Sequence, residues 1–389
     1  MPSWTTRGLG ARSTNLDRRR VPVRSSDRRP GPYSYYGASG VVDQVDGFLF
    51  DGLHLLVAED GENLRSRKTP VAFLADGKFW VNNHAHILTA NRDNDTRFLA
   101  YALEAMDISG YITGSAQPKL TQAALASIPI CAPDREEQRG IAATLGALDD
   151  KIESNHRARD LIKGLLLAAF EELLAKNKFE EVPLAGIATS TKGVSYKSVD
   201  LLPSIISLVT LKSIDRRGGY KSNGLKQYVG PYKPQQVTLP GDIVVAQTDL
   251  TQGAEVVGRA VRVPPEDSAA TLVASLDLVI VRPNPDIPTE YLLGVLTDER
   301  FRAHCCSRTS GTTVLHLASD AIPTYMAPLV GTDVREDFAS RARPLVERGD
   351  GLASETRSLI ALRDTLLPEL LSGRIRVSEA RGVVEEAVG

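Results

Sequence analysis

The clearest feature of the chain is an apolar stripe in its middle. From residue 141 onward, apolar residues recur in alternating steps of four and three, which is the heptad pattern of a coiled-coil helix. Asp134, followed three residues later by a glutamate, is typical of a capped helix N-terminus and predicts a long helix over 133–178. Two polar residues, Asn155 and Arg159, interrupt the stripe. The predicted seam residues are Ile141, Leu145, Leu148, Ile152, Asn155, Ile162, Leu166 and Leu173.

A second stripe predicts another long helix over 332–376. Its seam leucines stand seven residues apart, at Leu345, Leu352, Leu359 and Leu366. Each stripe needs an apolar partner, and the other helix is the simplest one. Since a globular region separates the two helices in sequence, antiparallel pairing is geometrically easy. The alternative is a pair of ordinary amphipathic helices, each packed on its own domain.

The chain is internally duplicated. A shift of 197 residues places Gly114–Leu174 on Gly311–Leu371 without a gap. Before each helix lie short alternating apolar runs between turn signals, such as 53–57 and 241–246, which predict strands in an α+β region. The sequence therefore predicts one mixed domain over 1–132, a second over 179–331, a helix after each, and a tail over 377–389.

Composition narrows the class of protein. The chain has 389 residues, 42% hydrophobic and 24% charged, with a net charge of -2, which is ordinary for a globular protein and excludes global disorder. No window approaches the ~18 consecutive apolar residues of a membrane span, and the first residues lack the apolar core of a secretory signal. Three cysteines without suitable spacing predict no disulfide framework. We expect a cytoplasmic protein.

Motifs for catalysis are largely missing. No glycine-rich nucleotide loop has the required spacing. Two histidines, His84 and His86, lie two apart in a strand-like run; without a third ligand they favour a hydrogen-bonded structural pair over a metal site. Asp134 and Asp149 formally match a nuclease pattern, but on one helix they lie roughly 22 Å apart and cannot share a metal ion.

Basic and aromatic residues cluster at matching places in the two mixed regions. Arginine can address guanine edges, and lysine can bind phosphate, so these clusters are candidates for DNA binding. The alternative for each residue is an ordinary solvated surface position, and a frayed N-terminus for the arginine run. The candidates are Arg18, Arg19, Arg20, Arg24, Arg28, Tyr35, Tyr36, Lys119, Lys192, Tyr196, Lys197, Lys212, Arg216, Arg217 and Tyr220.

An ordered series of motifs over about residues 18–376 resembles the specificity subunits of type I restriction-modification systems. The run 32–40 (PYSYYGASG), the block 114–120 (GSAQPKL), the junction 136–142 (EEQRGIA) and the segment 366–375 (LLPELLSGRI) carry the resemblance. It implies two α/β target-recognition domains separated by two long helices that form an antiparallel coiled coil, as a pseudo-twofold repeat.

The resemblance also implies a function. Each target-recognition domain would read one half of an asymmetric, interrupted DNA sequence, with the helices setting the spacing. The subunit would do no chemistry; two methylation subunits would carry S-adenosylmethionine, and restriction subunits would use ATP and Mg²⁺. The alternatives are an enzyme with unfamiliar motifs and an inactive coiled-coil scaffold that binds methylation subunits without reading DNA.

The chain departs from the family pattern at its start. The distal domain opens with an apolar strand at 179–188, whereas the proximal domain offers only Trp4 and 9–11 before the arginine run. This predicts either a shortened first strand or a misplaced start, and both leave open whether the proximal domain is complete.

Overall fold

The computed structural model describes residues 4–216, 219–265 and 271–389. The chain divides into two compact units. The proximal unit comprises Met1–Ile152 with Leu359–Gly389, and the distal unit comprises Glu153–Ser358. Each of the two longest helices contributes one part to each unit.

In the proximal unit, the strands form a four-stranded sheet, a three-stranded sheet and a separate pair. The strands are β1 (Thr5–Gly8), β2 (Ser13–Asn15), β3 (Tyr33–Gly37), β4 (Gly40–Val45), β5 (His54–Ala58), β6 (Ala72–Ala75), β7 (Phe79–Val81), β8 (Ala85–Ala90) and β9 (Pro129–Ala132). The four-stranded order is β2-β8-β5-β6, the three-stranded order is β4-β3-β7, and β1 pairs with β9.

The helices of this part of the chain start at recognisable caps. Asp95 accepts hydrogen bonds from the backbone N–H groups of Arg97 and Phe98, and Thr121 accepts one from Ala124. The Asp134 carboxylate accepts from the Glu137 backbone N–H at 3.0 Å, which confirms the predicted cap of the long helix. The helices are α1 (Leu9–Arg12), α2 (Asn63–Ser66), α3 (Thr96–Glu104), α4 (Gln122–Ser127) and α5 (Arg135–Lys176).

The distal domain and the C-terminal helices follow. The strands are β10 (Glu180–Pro183), β11 (Ala188–Lys192), β12 (Ile206–Val209), β13 (Lys226–Gln227), β14 (Val237–Thr238), β15 (Ile243–Ala246), β16 (Thr248–Asp249), β17 (Ala260–Arg262), β18 (Thr271–Ala274), β19 (Leu278–Pro283), β20 (Thr309–Ser310), β21 (Leu315–Leu317) and β22 (Met326–Leu329). The helices are α6 (Thr289–Thr297), α7 (Glu299–Ser307), α8 (Thr332–Leu371) and α9 (Val377–Val388).

The sheet topology repeats between the domains. The distal order β11-β19-β15-β17 reproduces the proximal order β2-β8-β5-β6, and the pair β10-β22 reproduces β1-β9. In both domains one strand of the second sheet has a parallel neighbour, β3 with β7 and β12 with β18. The predicted α+β class with an internal repeat is confirmed.

The long helices run antiparallel. In the distal unit, Asn155 on α5 donates to Glu355 on α8 at 3.1 Å, and the ring of Phe170, further along α5, lies 5.7 Å from that of Phe338, earlier on α8. In the proximal unit, Arg363 donates to Asp149 at 2.9 Å. The predicted antiparallel pairing is confirmed.

Burial of the predicted seam residues is uneven. The fully or largely buried members are Ile141, Leu145, Leu148, Ile152, Asn155, Leu173, Leu352, Leu359 and Leu366. Ile162, Leu166 and Leu345 are only half-buried. Beside Leu345 it is Val346 that is buried, so the stripe on α8 shifts by one residue there.

The expectation of a shortened first strand is wrong. Thr5–Gly8 pairs antiparallel with Pro129–Ala132, just as Glu180–Pro183 pairs with Met326–Leu329. The residues after these opening strands, Leu9 and Leu184, are both fully buried. The strand has no apolar alternation, because it is held by backbone pairing and its side chains are exposed or half-buried.

The predicted tail is also more structured than expected. Residues Val377–Val388 form α9, which buries Val377, Ala380 and Val384 in the proximal core. Apolar side chains at helical spacing provide one packed face. Among the described helices, none has both the length and the apolar character required to cross a membrane.

Candidate nucleic-acid interface

A basic turn lies at the edge of the proximal four-stranded sheet. The 3-10 turn Asp17–Arg19 follows β2 and is continued by Arg20. Arg18 is exposed, whereas Arg19 donates to the Leu49 carbonyl at 3.2 Å and lies over the Phe50 ring, 5.0 Å from its centroid. Arg18 is therefore directed to solvent, and Arg19 is partly braced by the protein.

Arg20 belongs to an ion-pair network inside this domain. Its guanidinium lies 2.7 Å from Glu59 and also donates to the Ala85 carbonyl at 2.8 Å. Lys119 lies 3.3 Å from the same glutamate, but its side chain is 52% exposed. The prediction that Arg20 binds DNA directly is therefore poorly supported, because its donors are already used within the fold, while Lys119 stays accessible.

His86, on β8, also belongs to this network. Its Nδ1 lies 2.6 Å from Asp17 Oδ2, and its Nε2 lies 2.8 Å from the Leu120 carbonyl oxygen. Both partners are acceptors, so both hydrogen bonds form only when the ring carries two protons. The buried imidazolium thus joins β8 to the basic turn and to the segment after Lys119.

The carboxylates respond to these cations. Burial alone would raise the pKa of Asp17, but its hydrogen bonds from His86 and from the Ile87 backbone N–H lower that pKa below its ordinary value. Burial likewise acts to raise the pKa of Glu59, and the hydrogen bond from Arg20 with the charge of His86 lowers it overall. Both carboxylates are therefore held ionised.

The same groups could be mistaken for a metal centre. Asp17, Glu59 and His86 offer ligand atoms within 4.8 Å of one another. However, the Arg20 guanidinium lies between the carboxylates, 2.7 Å from Glu59 and 3.5 Å from Asp17, and supplies the positive charge itself. His84 contacts a different carboxylate, Asp60, at 2.9 Å. The geometry favours separate structural hydrogen bonds for the two histidines.

Two further proximal candidates are structural. Tyr35 is fully buried, and its hydroxyl accepts from the Val23 backbone N–H at 3.1 Å. Arg28 stacks on the Tyr35 ring, 4.3 Å from its centroid, and lies 3.0 Å from Asp43. The prediction of Tyr35 as a DNA contact is wrong, because no face of its ring reaches solvent. Arg28 is a weaker candidate than predicted, because its guanidinium already contacts Tyr35 and Asp43.

The remaining proximal candidates differ in accessibility. Tyr36 is half-buried and packs against the rings of Phe73 and Phe79, at centroid distances of 6.1 and 5.5 Å. Arg24 is exposed. Within this domain the structure thus leaves Arg18, Arg24 and Lys119 as accessible basic candidates, with Arg19 partly accessible.

The distal candidates are mostly accessible. Lys192, Lys197 and Lys212 are exposed. Arg216 has a 70% exposed side chain and lies 3.1 Å from Glu255. Arg217 lies outside the described residues.

The two distal tyrosines differ from the lysines. The half-buried Tyr196 accepts a hydrogen bond from Lys226 at 3.2 Å, and the lysine ammonium lies 5.3 Å from the ring centroid. Tyr220 is 8% exposed and packs in an apolar cluster with Val244 and Leu278. Its prediction as a DNA contact is wrong, because the ring belongs to the core.

Sequence reasoning missed the network of Asp17, Glu59 and His86. The three residues lie on separate segments that only the sheet brings together, since Val57 and His86 are cross-strand neighbours of β5 and β8. No local motif encodes such a contact.

Residues 14–163 match the family described as type I restriction modification DNA specificity domain. This part of the chain is thus similar to type I specificity domains. The matched segment contains the basic turn, the ion-pair network and Lys119, and it ends within α5. The resemblance inferred from the sequence is confirmed.

Relatives extend the similarity to the specificity subunits. A protein named as a type I restriction enzyme specificity subunit in Haemophilus influenzae is 39% identical over 129 residues, which is 33% of this chain and 33% of that protein. The match thus spans about a third of that relative. The MjaIX specificity subunit of Methanocaldococcus jannaschii is 21% identical over 362 residues, 84% of this chain and 80% of the relative.

A solved structure resembles nearly the whole chain. The crystal structure of a type I restriction-modification S subunit from M. genitalium has a TM-score of 0.63 at 17% identity, and covers 95% of this chain and 96% of that one. This likeness shows that the fold of nearly the whole chain, with its second domain and both long helices, is similar to the fold of that structure.

Proposed function

We propose that this chain is the DNA-specificity subunit of a type I restriction-modification complex. The proximal domain would read one half of an interrupted, asymmetric DNA sequence, and the distal domain would read the other. The observation that carries this proposal is the repeated sheet topology on a chain whose first copy is similar to type I specificity domains. Two equivalent readers on one chain fit two half-sites on one duplex.

The subunit itself would be non-catalytic. The accessible candidates are basic side chains rather than a nucleophile beside a base, which suits binding to phosphate and base edges. Chemistry would come from two methylation subunits, carrying S-adenosylmethionine and docked on the long helices, and from restriction subunits that use ATP and Mg²⁺. Since the substrate is chromosomal DNA, the complex would act in the cytoplasm.

The competing scaffold hypothesis rested on an incomplete proximal domain. The opening strand Thr5–Gly8 removes that argument, because it pairs as its distal counterpart does. A domain with an intact first strand and an accessible basic turn supports a reader of DNA.

The decisive experiment maps methylated adenine across a genome in cells that contain the methylation partner, with and without this chain. We expect a two-part sequence motif that appears only with the chain, which would give the target and the spacer together. No motif despite co-purification of the partner would contradict DNA reading and favour the scaffold. Neither motif nor partner would contradict the whole proposal.

Arg216 offers a sharper test in the distal domain. Arg216→Ala should change the free energy of unfolding by less than about 1 kcal/mol, because exposed ion pairs contribute little, and should weaken binding to duplex DNA. The matched control is Arg341→Ala: Arg341, on α8, is 69% exposed and paired with Asp337 at 2.6 Å, much as the 70% exposed Arg216 is paired with Glu255. Equal DNA affinities for the two variants would remove Arg216 from the interface.

A further inference from the structure

One loop is built twice in the molecule. Gly114 and Gly311, related by the internal repeat, both have positive φ, at +82° and +120°. A Cβ atom on Gly114 would lie 2.2 Å from the Gln117 carbonyl oxygen, and one on Gly311 would lie 2.0 Å from that of Val314. Both positions therefore require glycine, and both loops close in the same tight turn.

The residues that close the two loops occupy one structural position. Lys119 bridges to Thr113 and to Asp60, and His316 pairs with Ser310 and with Thr248. The next residue in each loop donates its backbone N–H to the carbonyl of the residue that follows β5 or β15. Leu120 donates to Glu59 and Leu317 donates to Gln247, both at 2.8 Å. His316 is thus the distal counterpart of Lys119, and both side chains are exposed.

We infer that His316 contacts the DNA backbone in the distal half-site at the position that Lys119 takes in the proximal half-site. This inference rests on the proposed function. An imidazolium donates to a phosphate oxygen as an ammonium does, but histidine loses its charge in the neutral range whereas lysine keeps it. The distal contact is therefore pH-dependent and the proximal contact is not.

The carboxylates near the strands that flank His316 have partners of their own. Opposite it lie the hydroxyl residues Thr248 of β16 and Ser310 of β20, and the Thr248 hydroxyl donates to Asp277 at 3.0 Å. The acidic residue of β16, Asp249, is buried and accepts hydrogen bonds from the backbone N–H groups of Thr251, Val256 and Val257. Before β20, Arg308 lies 2.7 Å from Asp320.

The proximal and distal loops differ in their counter-charge. Lys119 lies 3.3 Å from Glu59, whereas the equivalent position in the distal domain holds the neutral Gln247. The distal loop therefore has an amide at the position of the carboxylate that pairs with Lys119.

The test uses the full chain and a long duplex of mixed sequence, with affinity followed by fluorescence anisotropy against salt at pH 6 and pH 8. Each phosphate contact adds about 0.9 to the slope of log affinity against log salt. Lys119→Ala should lower the slope by about 0.9 at both pH values. His316→Ala should lower the slope at pH 6 and barely change it at pH 8. His316→Lys should show, at both pH values, the slope that the parent has at pH 6.

The control is His156→Ala, since His156 is an exposed histidine on α5. Its slope should equal that of the parent at both pH values. A slope that falls with Lys119→Ala but not with His316→Ala at pH 6 overturns the inference while leaving DNA binding intact. A parent chain that binds no duplex at either pH overturns the proposed function as well.

Discussion

The two domains share one sheet order but differ at a buried position in the centre of the sheet. In the proximal domain His86 on β8 lies opposite Val57, and in the distal domain the equivalent pair is Val279 opposite Val245. Val279 lies in an apolar cluster, whereas His86 carries an ion-pair network. The same topology therefore accepts either an apolar or an ionic centre.

The other members of the network change with it. The register of β2 on β8 and of β11 on β19 places Lys192 where the proximal domain has Asp17, and Gln247 stands where it has Glu59. In the distal domain the end of β11 is held instead by a backbone hydrogen bond, which the Gly193 N–H donates to the Leu278 carbonyl at 3.0 Å. One domain anchors this edge by charge, and the other anchors it by close backbone contact.

The largest effect is expected from removing the anion of the proximal network. Asp17→Ala leaves the buried His86 cation without its partner, which should lower the free energy of unfolding by about 3–5 kcal/mol. Urea denaturation measures the loss. The distal counterpart Lys192→Ala, at an exposed position, should cost less than about 0.5 kcal/mol.

A second variant separates charge from packing. In Asp17→Ala with His86→Val, the residue of the distal domain replaces the histidine and no buried charge remains, so much of the lost stability should return. A double variant as unstable as the single one would mean that Asp17 acts through its hydrogen bonds to the backbone, and the comparison with Val279 would not hold.

Substitution of Gly193 should disrupt the backbone contact that holds this edge of the distal sheet. A Cβ atom at Gly193 would lie 2.0 Å from the Ser275 carbonyl oxygen, so Gly193→Ala forces the backbone apart and should cost about 1–3 kcal/mol. Gly186→Ala is the control, because nothing lies within 4 Å of its added methyl group. Hydrogen exchange of β19 should rise in the first variant alone; protection that stays unchanged would show that the edge does not depend on this contact.

Glu59→Gln introduces the distal residue type into the proximal network. At pH 7 the amide replaces the carboxylate that Arg20 and Lys119 share, and the free energy of unfolding should fall by about 1–3 kcal/mol. Because the pKa of Glu59 is lowered in the folded protein, its charge stabilises the fold above the ordinary glutamate range, and this contribution is lost as the pH falls through the lowered value.

The difference in unfolding free energy between parent and Glu59→Gln should therefore shrink on acidification, and urea denaturation in steps from pH 7 to pH 3 measures it. A difference that is constant over this range would mean that the side chain acts by shape and not by charge.

These charge contacts mark the limit of what the sequence could predict. Helix α5 was predictable because Asp134 and the buried seam residues Ile141 and Leu148 lie in one local, periodic segment. The network was not, because Asp17 and His86 meet only through strand register. Strand β1 lacks apolar alternation, so its existence depends on a partner more than a hundred residues away.

The candidate interface could be predicted only in part, because burial depends on strand register as well as on residue type. Residue type alone could not separate Tyr35, in the core, from Lys119, at the surface. The run Tyr33–Tyr36 contains a register shift between Tyr35 and Tyr36, which breaks the alternation that would otherwise assign inside and outside.

The smallest expected effect concerns the two helix N-termini. Gly140 on α5 is covered by α9, because a Cβ atom there would lie 3.1 Å from a Val377 methyl group. The residue equivalent to it on α8, Asp337, is exposed and pairs with Arg341. The Gly140 contact thus belongs to one end of the duplicated helix pair and tests whether α9 is part of the folded core.

Gly146→Ala, where nothing lies within 4 Å of the added methyl group, should stabilise the protein by about 0.5–1 kcal/mol through helix propensity. Gly140→Ala gains the same propensity but must displace Val377, so its net change should lie about 1 kcal/mol below that of Gly146→Ala. Thermal unfolding of the two variants and of each combined with Val377→Ala measures the difference. If α9 packs as described, Val377→Ala removes the gap between the two glycine variants; a gap that persists would assign the cost to α5 itself and detach α9 from the comparison.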